Sequence, residues 1–156
     1  MNEENITLRW TWRCALDEKV FEAIRRQVER EPYARKLGLK LLKLSAGYSL
    51  VEMTLAPAMD NIFGMAHGGA IFSLIDEAFE TASNSHGTVA VALQVSISYL
   101  KPPEAGSTLF AEAKEVNRSR SVSHYEITVR DDKQDPIATS LCMAYRKKDS
   151  LPFLES

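Results

Sequence analysis

The stretch Asn61-Ile-Phe-Gly-Met-Ala-His-Gly-Gly-Ala70-Ile-Phe-Ser-Leu-Ile-Asp-Glu-Ala-Phe-Glu80-Thr-Ala-Ser-Asn-Ser85 changes character at its paired glycines. From Pro57 to Ala66 no period is visible. From Gly68 to Ser85, Ile71, Leu74, Ile75, Ala78 and Ala82 form one apolar stripe at helical spacing, flanked by Phe72 and Phe79. On both sides of this helix the period drops to two. Leu39–Leu44 and Tyr48–Leu55 read as strands joined near Ala46–Gly47. Val89–Leu100 carries Leu93, Val95, Ile97 and Tyr99 on one face, against Gln94, Ser96 and Ser98, and ends at Pro102–Pro103. Ser107–Val116, Ser123–Arg130 and Ile137–Tyr145 complete the strands, separated by turn-rich Asn117–Ser121 and Asp131–Pro136. Hairpin-length connections imply antiparallel pairing, because parallel strands need a long crossover. Two strands, one long helix and four strands predict an α+β domain, its helix held against a curved antiparallel sheet.

Further out, Asp17 is placed to cap a helix reaching about Glu31, with Val20, Phe21, Ile24 and Val28 on one face. Pro32 stops that helix, and Gly38 ends a short helical turn. In residues 1–16, Ile6, Leu8, Trp10 and Trp12 alternate with polar groups, as in a strand or a loosely packed arm. The 156 residues, 45% of them hydrophobic, suffice for one domain with its own core. A net charge of −2 and a pI near 5.9 argue against a nucleic-acid partner. No apolar run is long enough for a membrane span, and no signal-peptide core follows Met1–Asn5. Cys14 and Cys142 make neither a disulfide framework nor a zinc site, and three histidines at these spacings carry no metal signature. A soluble, reduced, cytoplasmic protein with no metal or cofactor is expected.

Two glycines at a helix start let another molecule approach the backbone closely. The first helix amides lack an internal partner and lie at the positive end of the dipole, a suitable place for a developing oxyanion. Eight residues beyond Gly68, Asp76 lies at the edge of the stripe between Phe72 and Phe79. Desolvation there raises a carboxylate's pKa and makes it a better base. Glu80 follows one turn later, and the two like charges are expected to raise Asp76 further. His86, near the helix end, reads as a cap, and His124 as facing solvent or a neighbouring strand. Arg118 and Arg120, in the Asn117–Ser121 turn, and Lys101 are candidate contacts for phosphate groups.

The pattern of Asn61, Gly64, His67, Gly68, Gly69 and Asp76, followed by Ser98-Tyr-Leu-Lys-Pro102 and Gly106-Ser-Thr-Leu-Phe-Ala-Glu-Ala113, resembles the hotdog-fold thioesterases. It is most similar to the phenylacetate-degradation type of acyl-CoA thioesterase, and the resemblance spans Leu37 to Lys147. It implies a hotdog domain over 37–148, an N-terminal extension with an amphipathic helix over 1–36 and a C-terminal tail over 149–156. It implies hydrolysis of acyl-CoA, with Asp76 acting on a water or on the thioester carbonyl, the Gly68 amide polarising the carbonyl oxygen and Asn61 helping to position them. His67 orders the loop in that family, while Gly69, Phe72, Glu80, Arg118 and Arg120 are candidate substrate contacts. The resemblance further implies a site at a seam between two protomers, hence a homodimer or a homotetramer of paired dimers. Glu80 departs from the small or hydroxyl-bearing residue common there, and Ile62, Phe63 and Met65 change the loop's polarity.

Related hotdog hydratases and dehydratases resemble one another in placing a histidine five residues after an Asp or fourteen before a helix Glu. Thr81 occupies both positions here, so neither signature is met. A non-catalytic acyl-CoA binder is expected to lack the helix carboxylate, which this chain has.

Overall fold

The computed structural model describes residues 18–154. The candidate cap Asp17, the pair Trp10 and Trp12, and Cys14 lie outside the described residues. Helix α1 covers 18–30, and α2, Pro32–Leu37, follows after a one-residue break at Glu31. Proline opens α2, where its missing N–H costs nothing, and Gly38 closes it at φ 68, donating to the Ala34 and Arg35 carbonyls. Then come β1 (Lys40–Ser45), β2 (Tyr48–Thr54), a 3-10 turn (Pro57–Met59), α3 (Gly68–Asn84), β3 (Thr88–Tyr99), β4 (Thr108–Arg118), β5 (Val122–Asp131) and β6 (Pro136–Ser150). No helix among the described residues is long and apolar enough to cross a membrane.

All six strands join one antiparallel sheet in the order β1-β2-β4-β5-β6-β3. The hairpin expectation holds for β1–β2, β4–β5 and β5–β6 but fails between β3 and β4. After Tyr99 the chain crosses through the Pro102–Pro103 segment, leaving β3 beside β6 at the edge of the sheet. The period-two face of β3 is also interrupted: the register slips between Ala92 and Gln94, so Leu93 is unpaired and 54% exposed.

Helix α3 crosses the sheet and packs most heavily on β2, β4 and β3. Its stripe meets the alternating buried residues of β2, β4 and β5, including Val51, Met53, Leu109, Ala111, Ala113, Ile127 and Val129. Ala111 and Ala113 are small, which lets the helix approach the middle of the sheet. Burying a Leu or Ile here contributes about 1.5–3 kcal/mol, so Leu74 and Ile75, both fully buried, anchor the helix face. Ile24 and Val28 of α1 and Leu151 after β6 join the same core.

Polar bonds lock the C-terminal half of α3 in place. Ser49 and Thr81 share a buried 2.7 Å hydroxyl contact, and the Gly47 amide donates to Ser85 Oγ at 2.8 Å. The Asn84 side chain accepts from the Ala90 amide and donates to the Ala90 carbonyl. The helix is thus pinned to the β1–β2 turn and to the start of β3 by Ser49, Thr81, Asn84 and Ser85, whose buried side chains are paired. His86 does not cap it. Its Nε2 pairs with Glu115 Oε2 at 2.8 Å, where Tyr125 also donates, and the helix end is closed by Ser85 and Gly87 instead. His124 is exposed on the outer face of β5, beside Val116 and Leu141.

Candidate active site

The N-terminal end of α3 is built almost entirely from hydrogen bonds. His67 is the N-cap, and its Nδ1 accepts from the Gly69 amide at 2.8 Å. That bond fixes the ring as an acceptor at Nδ1, so His67 orders the turn. It also occupies the Gly69 amide, which is therefore unavailable to a ligand. The Gly68 amide makes no hydrogen bond among the described residues, leaving one free donor at the positive end of the helix.

Both glycines sit at close approaches. A Cβ on Gly69 would lie 2.9 Å from His67 Nδ1, and one on Gly68 would lie 3.2 Å from the Tyr99 hydroxyl. Tyr99, at the end of β3, donates to the Gly68 carbonyl at 3.0 Å and so holds the helix start against the sheet. Sequence reasoning did not mark Tyr99 as a site residue, although it falls inside the Ser98–Pro102 motif.

Asn61 governs the preceding loop. Its Oδ1 accepts from the Phe63 and Met65 amides at 2.8 and 3.3 Å, while its own amide donates to the Met65 carbonyl. Asp60 and Ala66 bridge the base of the loop, and the His67 amide donates to the Met59 carbonyl. The Asn61 carbonyl oxygen is thereby engaged, whereas its Nδ2 has no partner among the described residues. The loop tip presents Ile62 (92% exposed), Phe63 and Met65 to solvent.

Asp76 lies in a different environment. It is half-buried, has no hydrogen bond among the described residues, and burial raises its pKa. It lines a cavity of about 210 Å³ with Phe79, Glu80, Ser83 and the start of β3 at Ala90, Val91 and Ala92. Phe72, one turn earlier, is exposed on the same helix, whereas Phe79 packs edge-on against Tyr125 at 5.4 Å between ring centres. The repulsion expected between Asp76 and Glu80 falls on Glu80, whose pKa is raised by burial first, then by Glu31, then by Asp76. Asp76's own rise comes from burial.

Gly68 and Asp76 do not meet within one chain. Eight residues of helix separate them by about 12 Å, too far to serve one carbonyl group. Arg118 and Arg120 lie beyond the opposite end of α3. Arg118 pairs with Glu115 at 3.5 Å, the carboxylate that also holds His86. The structure therefore brings Asn61, His67, Gly68 and Gly69 together, sets Asp76 with Phe79 and Glu80 midway along the helix, and leaves the arginines at the far end.

Beneath Asp76 lies a group that sequence reasoning missed. Glu77 is 4% exposed, and its Oε1 has no hydrogen-bond partner among the described residues. Burial and the neighbouring Glu31, Glu80 and Asp76 push its pKa up to about 8.

Known proteins share this architecture. The Thioesterase superfamily model matches residues 63–138. A putative esterase of Archaeoglobus fulgidus is 40% identical over 116 residues, which cover 74% of this chain and 75% of the relative. The acyl-coenzyme A thioesterase PaaI of Escherichia coli is 32% identical over 123 residues, covering 79% of this chain and 88% of PaaI. The structure of E. coli PaaI, described as a protein of the phenylacetic acid degradation operon, superposes with a TM-score of 0.82 at 31% identity, covering 86% of this chain and 98% of that one. The smu.793 protein of Streptococcus mutans, solved bound to acetyl CoA, gives a TM-score of 0.69 at 28% identity over 72% of this chain and 91% of its own. With a six-stranded antiparallel sheet around one long helix, and similarity to PaaI over 79% of its length, this chain belongs to the thioesterase superfamily as a PaaI-like hotdog protein.

Proposed function

We propose that this protein hydrolyses acyl-CoA thioesters to the free acid and coenzyme A at a site completed by two protomers. One observation carries the reading: the free Gly68 amide and the desolvated Asp76 are both equipped for thioester chemistry, yet one helix holds them about 12 Å apart. A second copy reverses the separation by bringing its Gly68 and Asn61 to the first copy's Asp76. Asp76 then removes a proton from water as the water oxygen bonds to the carbonyl carbon. The negative charge formed on the carbonyl oxygen accepts from the Gly68 N–H. When the intermediate collapses, the C–S bond breaks, and the CoA sulfur leaves and takes up the proton.

The unpaired edge strand β3 next to Asp76 is the natural seam, and exposed Val116, Leu141 and Tyr145 provide an apolar surface for pairing two dimers. Phe72 and the Phe79 side of the cavity suit an aryl or medium-chain acyl group. Glu80 borders that cavity, His67 and Gly69 shape the helix entrance, and Arg118 and Arg120 of an adjoining protomer are expected at the CoA phosphates. CoA-bound smu.793 and the name of PaaI favour this substrate class. The reaction needs no cofactor, and a cytoplasmic location fits the buried free thiol of Cys142.

The test is thiol release from a panel of aryl, short-chain and long-chain acyl-CoAs by purified protein without added cofactor. At least one substrate, expected among the aryl or medium-chain members, should turn over well above background. Binding of acyl-CoA with only background hydrolysis across the panel would replace this reading by that of a non-catalytic binder.

A further inference from the structure

Three carboxylates from two distant segments converge beside the helix that carries Asp76. Glu31 sits in the break between α1 and α2, and Glu77 and Glu80 lie on α3. One carboxylate oxygen of each falls within 4.8 Å of the other two. No Lys, Arg or His pairs with any of the three among the described residues. The three also line one cavity of about 310 Å³, walled by Ile24, Val28, Val89 and Leu151. Ionising all three together would set like charges against one another and strip water from buried Glu77, which favours a positive partner for the group.

The second observation is the state of Glu77. Its side chain is buried, it lines this cavity, and its Oε1 is both inaccessible to water and without a hydrogen bond among the described residues. A buried carboxylate oxygen with no donor is stabilised by a proton of its own or by a positive ligand. Nearby polar side chains do not supply one: Thr81 Oγ1 donates to the Glu77 backbone carbonyl, and the Asn84 amide is engaged by Ala90 and Glu80 backbone groups.

We propose that Glu31, Glu77 and Glu80 bind one hard divalent cation, with calcium favoured over magnesium. Oxygens up to 4.8 Å apart can lie across a single ion at calcium's 2.3–2.6 Å contact distances, whereas magnesium requires a tighter cage. Water in the cavity completes the coordination. The ion staples the α1–α2 junction to α3 and takes no part in the hydrolysis. Glu31 lies outside the stretch 63–138 matched by the family model.

Full-length protein is stripped with EDTA, dialysed and titrated with CaCl2, MnCl2 or MgCl2 by calorimetry, with parallel thermal melts. Saturable binding of one calcium per chain is expected with Kd below about 1 mM. At a hundredfold excess over Kd, Tm should rise by about 5–11 °C. Glu31→Gln and Glu80→Gln change half-buried and exposed positions, so both should fold; each should weaken calcium binding at least ~10-fold and remove most of the Tm increment. Asp132→Asn, an exposed acid remote from the cluster, should retain both. No saturable binding of any of the three ions would overturn the proposal and leave the carboxyl groups sharing protons or facing another part of the assembly. Undiminished calcium binding in Glu31→Gln and Glu80→Gln would place the ion elsewhere and overturn it equally.

Discussion

The two working regions of α3 are built on opposite principles. At its N-terminal end, His67, Asn61 and Tyr99 fix the backbone by hydrogen bonds and leave the Gly68 amide without a partner among the described residues. Two turns on, Asp76, Glu77 and Glu80 have no hydrogen-bonded or oppositely charged partner among the described residues, and all three pKa values are raised. The first region places a donor by over-determining its backbone. The second makes Asp76 reactive by withholding partners and part of its water. A donor for an oxyanion has to be rigid, since its contribution depends on geometry, whereas a base has to be electrostatically unsatisfied.

Asp76→Ala removes the unsatisfied base and should lower turnover by roughly 10²–10⁴-fold in thiol-release assays while the protein stays folded. A folded variant with near-normal turnover would break the comparison, because the middle of the helix would then have no chemical role. Gly68→Val attacks the other region. Its side chain crowds the Tyr99 hydroxyl that holds the helix start, disturbing the donor, and kcat should fall by about 10²-fold.

Mixing these two inactive variants sharpens the contrast into a statement about assembly. If the regions act across protomers, unfolding and refolding the mixture should restore about a quarter of wild-type activity, through mixed dimers that keep one intact site. No recovery, despite formation of mixed dimers shown by mass spectrometry, would put both groups in the same chain's site.

Asn61→Ala should cost less than Asp76→Ala, about 10-fold, because it loosens the loop but leaves the carboxylate. The smallest effect concerns pH. The acidic limb of kcat/KM should lie above the ordinary Asp value of about 3.9, because burial raises Asp76 and its base form appears only above that raised pKa. Glu80→Gln should leave most of this displacement, since burial is its cause. A limb that falls back to the ordinary value in Glu80→Gln would show that repulsion dominates after all.

The contrast also explains what could be read early. The stripe Ile71, Leu74, Ile75, Ala78, Ala82 and the alternation in β2, β4 and β5 identified the helix, the strands and the antiparallel class, because periodicity records which face of an element is buried. The six-position motif singled out Gly68 and Asp76 as candidates; in the structure the Gly68 amide has no partner among the described residues and Asp76 is half-buried. The place of β3 beside β6 was not legible. That choice depends on a crossing chain and on which sheet edge remains open, and no local pattern encodes either.

Sequence by itself determined the order of elements, the amphipathic helix and the glycine-flanked entrance to it, since each rests on spacing within one segment. Only tertiary structure decided that Tyr99 presses on Gly68 and that Glu31 arrives from the break between α1 and α2 to face Glu77 and Glu80. The reason is physical: a residue's type fixes what it can donate or accept, but hydration and pairing belong to its surroundings. Those surroundings here come from segments roughly thirty to fifty residues apart in the chain, such as Gly68 and Tyr99 or Glu31 and Glu80.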